Sequence, residues 1–155
     1  PYQITSHVLR TILELENKPE SITVMVQREV ADRIVAKAGD MSLLAVSIQY
    51  FGDPKMVCKV SKGNFWPEPK VDSAVLYIKI KNRKNNEKDF DNMFFQVVRA
   101  GFANKRKQLW RNLSIGLNKD KDTVQNVLRE IFDNEKVRAQ ELGVEEWITL
   151  TKKLI

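Results

Sequence analysis

Apolar positions in the first half of the chain switch between two periods. Val8, Leu9, Ile12 and Leu13 recur at helical spacing, which predicts a helix over 5–16 with Thr5 as its cap. Asn17, Lys18 and Pro19 then stop it. Residues 21–27 (SITVMVQ) are mostly apolar and β-branched, the pattern of a buried strand. A second helix is expected over 28–37, with Val30, Ile34 and Val35 inward and Gly39 as its stop. Residues 42–50 are ambiguous and read best as a short helix, and 54–60 as a strand. Two prolines make 64–69 a loop, because neither a ladder nor a helix tolerates them so close together. The clearest strand covers 72–81, where Leu76, Ile78 and Ile80 alternate with Tyr77, Lys79 and Lys81.

Beyond residue 82 the character changes. Residues 82–88 (NRKNNEK) are polar and charged, as in a linker. Helical periodicity then covers 90–102, 105–113, 122–132 and 144–154, with Asp120 or Asp122 placed to cap the third of these. The expected architecture is therefore an α/β layer over 1–82 followed by a small all-helical domain over 83–155.

Composition narrows the function classes. With one cysteine and one histidine, the chain can form neither an internal disulfide nor an ordinary Cys/His zinc site. Cys58, flanked by Val57 and Val60, reads as a core residue, and His7 as an ordinary helix residue. No apolar run approaches the roughly 20 residues that span a membrane, and the first residues lack the basic and apolar blocks of a signal peptide. The expected setting is the cytoplasm.

Net charge is +6, and the excess is concentrated. Between Lys55 and Arg111 there are 14 Lys and Arg against 5 Asp and Glu. A basic middle on a near-neutral body points to a polyanion partner, with a merely solvated basic face as the plain alternative.

Four segments carry more specific information. Asn64 to Val75 (NFWPEPKVDSAV) resembles the F-x-P-x-P-K-V-D-S-A-V signature of the KsgA-type ribosomal RNA adenine dimethyltransferases. Val26 to Ile34 (VQREVADRI) is similar to the V-Q-[KR]-E-V-A-x-R segment of that family. Phe102 to Leu113 (FANKRKQLWRNL) is similar to its F-x-x-[RK]-R-K-x-L-x-x-N-L helix, and Pro1 to Ser6 (PYQITS) to the end of its N-[LI]-P-Y-x-I-[TS] motif. The four matches occur in family order and cover nearly the whole chain. Macrolide-resistance methylases share the catalytic motif, but the blocks at 70–75 and around Arg106-Lys107 favour the ribosome-biogenesis branch.

The resemblance implies the C-terminal part of a Rossmann-like, S-adenosylmethionine-dependent methyltransferase domain, followed by a small helical RNA-binding domain. The implied reaction dimethylates N6 of two adjacent adenosines in the 3′-terminal hairpin of small-subunit ribosomal RNA. The implied partner is the immature small ribosomal subunit, met by a monomer. The adenine amine is a poor nucleophile, because its lone pair is delocalised into the ring. A site must therefore extrude the base, align the amine with the sulfonium methyl and accept the amine hydrogens. In the family an Asn side chain and the Pro carbonyl of the catalytic motif are the acceptors. Pro1 matches that carbonyl, and so both the catalytic motif and the cofactor edge, whereas the Asn would lie two residues upstream. Tyr2 and Phe65 match the positions whose rings hold the base. Nothing in the chain resembles the Gly-rich cofactor loop, so the chain alone is expected to be inactive.

Each of these residues has a plainer reading. Phe65 and Trp66 can simply cover a sheet edge; the resemblance favours base stacking for Phe65 and leaves Trp66 a loop aromatic. Lys70 reads equally as a phosphate contact or an exposed lysine, and Asp72 as an anchor for its strand. Glu29 and Arg33, four apart on a helix, read as a surface ion pair. Lys105, Arg106, Lys107 and Arg111 are expected to open a helix, where cations face the positive end of the dipole and an RNA phosphate would offset the cost. Against this stands a structural role in which they pair with acids such as Glu130 or Glu135. The rival function from another class is a non-catalytic RNA-binding module on the small subunit; a second enzyme reading is a large-subunit resistance methylase.

Overall fold

The computed structural model describes residues 2–82 and 88–155. Most of the expected linker, 83–87, lies outside the described residues. A 3₁₀ turn, Tyr2–Ile4, leads into helix α1 (Thr5–Glu14). Thr5 is thus inside the helix rather than capping it; Ile4 occupies the cap position and no side chain accepts there. Leu9 and Leu13 are buried, whereas Val8 remains exposed.

Strand β1 (Ser21–Gln27) is followed by α2 (Arg28–Ile34), α3 (Leu43–Phe51), β2 (Gly52–Val60) and β3 (Ser73–Ile80). The strand order is β1-β3-β2, with β3 antiparallel to both neighbours. β1 and β2 therefore run in the same direction. Their last residues, Gln27 and Val60, both register with Ser73, the first residue of β3. The central strand is the most buried, with Ser73, Ala74, Leu76 and Ile78 closed from solvent.

β1 is only half-buried: Ile22 and Val26 face the core and Met25 is exposed. β2 tolerates Pro54 because it is a sheet edge among the described residues. A register shift between Met56 and Cys58 breaks its alternation. This is why Cys58, expected in the core, is exposed together with Val57.

α2 packs against all three strands and buries Ala31 and Ile34. It stops at Ile34, earlier than the spacing suggested, and the chain reaches positive φ only at Gly39 (109°), a conformation that glycine adopts without a Cβ penalty. The ion pair on α2 is Arg28–Asp32 at 3.8 Å; Glu29 and Arg33 form none among the described residues. Ser42 Oγ accepts the Ala45 amide at 3.2 Å and so opens α3, the segment whose pattern was ambiguous.

The remaining helices are α4 (Lys88–Gly101), α5 (Leu109–Leu117), α6 (Lys121–Phe132) and α7 (Val144–Leu154). Asp120 caps α6, accepting the Thr123 amide at 3.0 Å. Asn118 and Asp133 end α5 and α6 in the left-handed conformation, which short polar side chains tolerate. Glu146 reaches back to the Gly143 amide at 2.6 Å, tying off the start of α7. Phe94, Val97, Val98, Leu109, Leu113, Val124, Leu128, Trp147 and Leu150 are fully buried, so the apolar stripes of all four helices close on one core.

The chain divides into two compact units, Pro1–Ala36 with Ser47–Arg83, and Lys37–Val46 with Lys84–Ile155. Residues 37–46 join the helical unit because the amides of Gly39 and Met41 both donate to the Gln140 carbonyl, at 3.0 and 3.1 Å. No helix among the described residues is long and apolar enough to cross a membrane.

Candidate RNA-binding and base-holding site

In the first unit, chemistry-bearing residues gather where β1 and β2 end and β3 begins. The hydroxyls of Tyr2 and Ser73 are hydrogen-bonded to each other. Ser73 is fully buried, so its hydroxyl needs a partner, and Tyr2 supplies it. The bond joins residues 71 positions apart and fixes the tyrosine at this end of the sheet. The amide of Arg28, just past β1, donates to the Asp72 carbonyl at 3.0 Å.

The loop from β2 to β3 carries Phe65 and is tied to the same place. The Lys62 amide donates to Asp72 Oδ1 at 3.1 Å, so Asp72 does anchor its strand, through its side chain. Lys62 opens a 3₁₀ turn, Lys62–Asn64, whose entry residue Ser61 accepts the Gly63 amide. The Phe65 amide donates to the Lys62 carbonyl at 3.2 Å. Lys62 Nζ meets Glu68 at 3.0 Å across the loop. The hydrogen bond to Glu68 is the main reason the Lys62 pKa lies above the ordinary lysine value, with charge attraction to Glu68 next. Phe65 is half-buried, Lys70 is exposed and Trp66 is almost fully exposed. Lys70 forms no ion pair among the described residues. In open α/β sheets the carboxyl ends of like-directed strands are where ligands bind, because loops there converge on a crevice. Tyr2 and Phe65 are both fastened to that end. Pro1 lies outside the described residues.

The basic cluster of the second unit differs from the expectation. Lys105, Arg106 and Lys107 stand in a turn ahead of α5, which starts at Leu109. Only Arg111 is on the helix, so the argument from the helix dipole does not hold for the other three. The turn is built by its neighbours. The Lys107 amide donates to the Asn104 carbonyl at 3.1 Å, and buried Asn112 reaches back from α5 to the carbonyls of Gly101 and Asn104. Lys105 to Lys107 are exposed and, with Asn104, line a recess of about 350 Å³.

Among the described residues these three cations and Arg111 have no acidic partner. Glu130 pairs with Lys153, and Glu135 with Arg129 at 3.3 Å. Arg111 instead lies 5.0 Å from the Trp110 ring centroid, and Lys121 lies 5.3 Å from it. Sequence reasoning found the cations but missed Asn112 as their clamp and Ser73 as the partner of Tyr2. Both stand inside the quoted motifs, which is the signal that singles them out.

The described residues do not form a cradle for a nucleoside cofactor. Their glycines stand singly, at 39, 52, 63, 101, 116 and 143, without the Gly-rich strand-turn-helix that admits a ribose and its neighbouring groups.

Comparisons with known proteins bear on family and fold. Residues 1–155 match the family model described as ribosomal RNA adenine dimethylase. Relatives include a ribosomal RNA small subunit methyltransferase A of Dehalococcoides mccartyi, 46% identical over 147 residues, covering 95% of this chain and 50% of the relative. The protein of the same name from Bacillus mycoides is 38% identical over 160 residues, covering 100% of this chain and 55% of its own length. The chain spans about half the length of these relatives. A dimethyladenosine transferase from Plasmodium falciparum shares the fold over 100% of this chain and 66% of its own, with a TM-score of 0.79 at 24% identity. A 23S ribosomal RNA methyltransferase, ErmE, superposes over 99% of this chain and 62% of its own, with a TM-score of 0.75 at 25% identity. The first unit is accordingly part of a Rossmann-like methyltransferase fold. A match to the family model along its whole length, with relatives of up to 46% identity among those compared, means that the chain belongs to the ribosomal RNA adenine dimethylase family.

Proposed function

We propose that this chain holds the target base and docks the RNA in a protein that dimethylates N6 of two adjacent adenosines in the 3′-terminal hairpin of small-subunit ribosomal RNA. The methyl donor is S-adenosylmethionine, which supplies an electrophilic methyl on a sulfonium. The observation that carries the reading is the fastening of Tyr2 and the Phe65 loop to one end of the sheet, through Ser73 and Asp72.

In this account an adenosine leaves its stack, which costs a few kcal/mol, and the rings of Tyr2 and Phe65 recover part of that. By its place in the motif, the carbonyl of Pro1 would be an acceptor for an amine hydrogen of the extruded base. No side chain of this chain need act as a strong base, because an N-alkylated adenine ammonium is acidic and would release its proton readily. Lys105, Arg106, Lys107 and Arg111 contact RNA phosphates, and Lys70 contributes a further cation beside the base loop. The absence of an acidic partner for these five among the described residues supports that role.

The names of the relatives favour the small-subunit substrate over the large-subunit one, since identity to them reaches 46% against 25% for the 23S enzyme. The test is methyl transfer by the full-length protein to unmethylated immature small subunits, with N6,N6-dimethyladenosine read by mass spectrometry and 23S RNA in parallel. Dimethyladenosine in the small-subunit RNA alone is expected. Product in 23S RNA would assign the resistance-methylase activity, and RNA binding with no product would leave a docking module.

A further inference from the structure

The sequence offers no role for Trp66 beyond a loop aromatic. The structure leaves Trp66 97% exposed, the most exposed of the large hydrophobic residues among those described. A tryptophan carries some 150–250 Å² of contact surface, and leaving it in water forfeits the stabilisation that burial would give. The loop that presents it is not slack. It is tied at Asp72 by the Lys62 amide, across its width by Lys62 and Glu68, and at its start by the Asn64 amide on the Ser61 carbonyl at 3.1 Å. Both of its acids are engaged: Glu68 by Lys62, and Asp72 by the Lys62 amide. Lys70, exposed and without an acidic partner among the described residues, is the other cation of the same loop.

We propose that Trp66 is a second nucleobase platform, on which an unpaired base next to the reacting adenosine stacks. The inference rests on the reading of Phe65 as the ring that holds the reacting base. Phe65 and Trp66 are neighbours in the loop, the first half-buried and the second almost fully exposed. The half-buried ring thus serves the pocket and the exposed ring serves the strand entering it. An indole suits this because stacking tolerates any base, while Lys70 meets the phosphate alongside. The consequence is a preference for targets whose neighbouring nucleotide is unpaired.

The experiment compares the full-length protein with Trp66→Ala, Trp66→Phe and Phe65→Ala on two RNAs. One is a hairpin whose loop carries the target adenosine beside an unpaired nucleotide; the other is a perfect duplex of equal length. Trp66→Ala should weaken hairpin binding about 5- to 150-fold, leave duplex binding within twofold and be largely rescued by Trp66→Phe. Replacing the neighbouring nucleotide by an abasic residue should erase the difference between Trp66→Ala and the parent. Equal losses on both RNAs, or no loss on the hairpin, would overturn the proposal. So would a fall of several degrees in melting temperature with unchanged RNA affinity, which would mean that protein covers the indole. Phe65→Ala keeps the two readings apart: it should impair methylation of the target itself, and the abasic neighbour should not alter its defect.

Discussion

Asn112 holds Asn104 in place: its Nδ2 amide donates to the Asn104 carbonyl at 3.0 Å and also to the Gly101 carbonyl at 2.6 Å. One buried side chain on α5 thereby satisfies the end of α4 and fixes the turn carrying Lys105, Arg106 and Lys107. Replacing it by Ala removes a donor from the Gly101 and Asn104 carbonyls, of which Asn104 keeps the Lys107 amide. The expected loss is about 1–3 kcal/mol of folding stability, measured by urea denaturation. At a temperature where the variant is still folded, its RNA affinity should fall as well, because the cations lose their fixed spacing.

The cations themselves should act through counterion release. Changing Arg106 and Lys107 together to Ala removes up to two phosphate contacts, so the log-log salt slope of RNA binding should flatten by roughly one to two. The melting temperature should hardly move, because neither side chain has an acidic partner among the described residues. A clear drop in melting temperature with an unchanged slope would make the cluster structural.

Gly116, on α5, offers a packing test. A Cβ there would stand 2.6 Å from Ala100 Cβ and 3.1 Å from its Cα, on α4. Helix propensity alone favours Ala over Gly by about 1 kcal/mol. The backbone of Ala100 cannot yield as a flexible side chain would, so overpacking wins. Gly116→Ala should destabilise by about 1–3 kcal/mol, read as a lower denaturation midpoint with unchanged m-value.

Acid should loosen the helical unit through two carboxylates. The pKa of Asp120 is lowered chiefly by the Thr123 amide it caps. That of Glu135 is lowered first by its own backbone amide and then by Arg129. A carboxylate with a depressed folded-state pKa stabilises above its unfolded-state value, and that stabilisation is lost as pH falls through the folded value. The loss should therefore fall below about pH 4, under the ordinary carboxylate range. Asp120→Asn keeps a cap acceptor but removes the charge. It should flatten the decline of stability below that pH, followed by thermal melts, while Asp120→Ala should lower the melting temperature at neutral pH as well, through loss of the cap.

How much of this was legible in the sequence depended on what set each element. The strand Ser21–Gln27 and the helix Val144–Leu154 were placed with their observed bounds, because local pattern and turn signals agree there. The start of α5 was set four residues too early, since the turn before it is held by Asn112 from eleven and eight residues away. Cys58 is exposed although its neighbours Val57 and Val60 are apolar, because β2 is a sheet edge among the described residues and shifts register at that point. In the candidate site, Tyr2, Phe65 and the cations were visible in the motifs. The bond from Tyr2 to Ser73 was not, because it joins positions that only the folded sheet brings together.

The central claim is that Phe65 holds the reacting adenine. It is tested most directly by methyl transfer to immature small subunits with the full-length protein and its Phe65→Ala variant, alongside calorimetry of S-adenosylmethionine binding. A lost base-aromatic stack corresponds to about 1–3 kcal/mol. The account predicts methylation reduced about 5- to 150-fold with cofactor affinity unchanged. Methylation within twofold of the parent would contradict it and leave Phe65 as cover for the sheet edge.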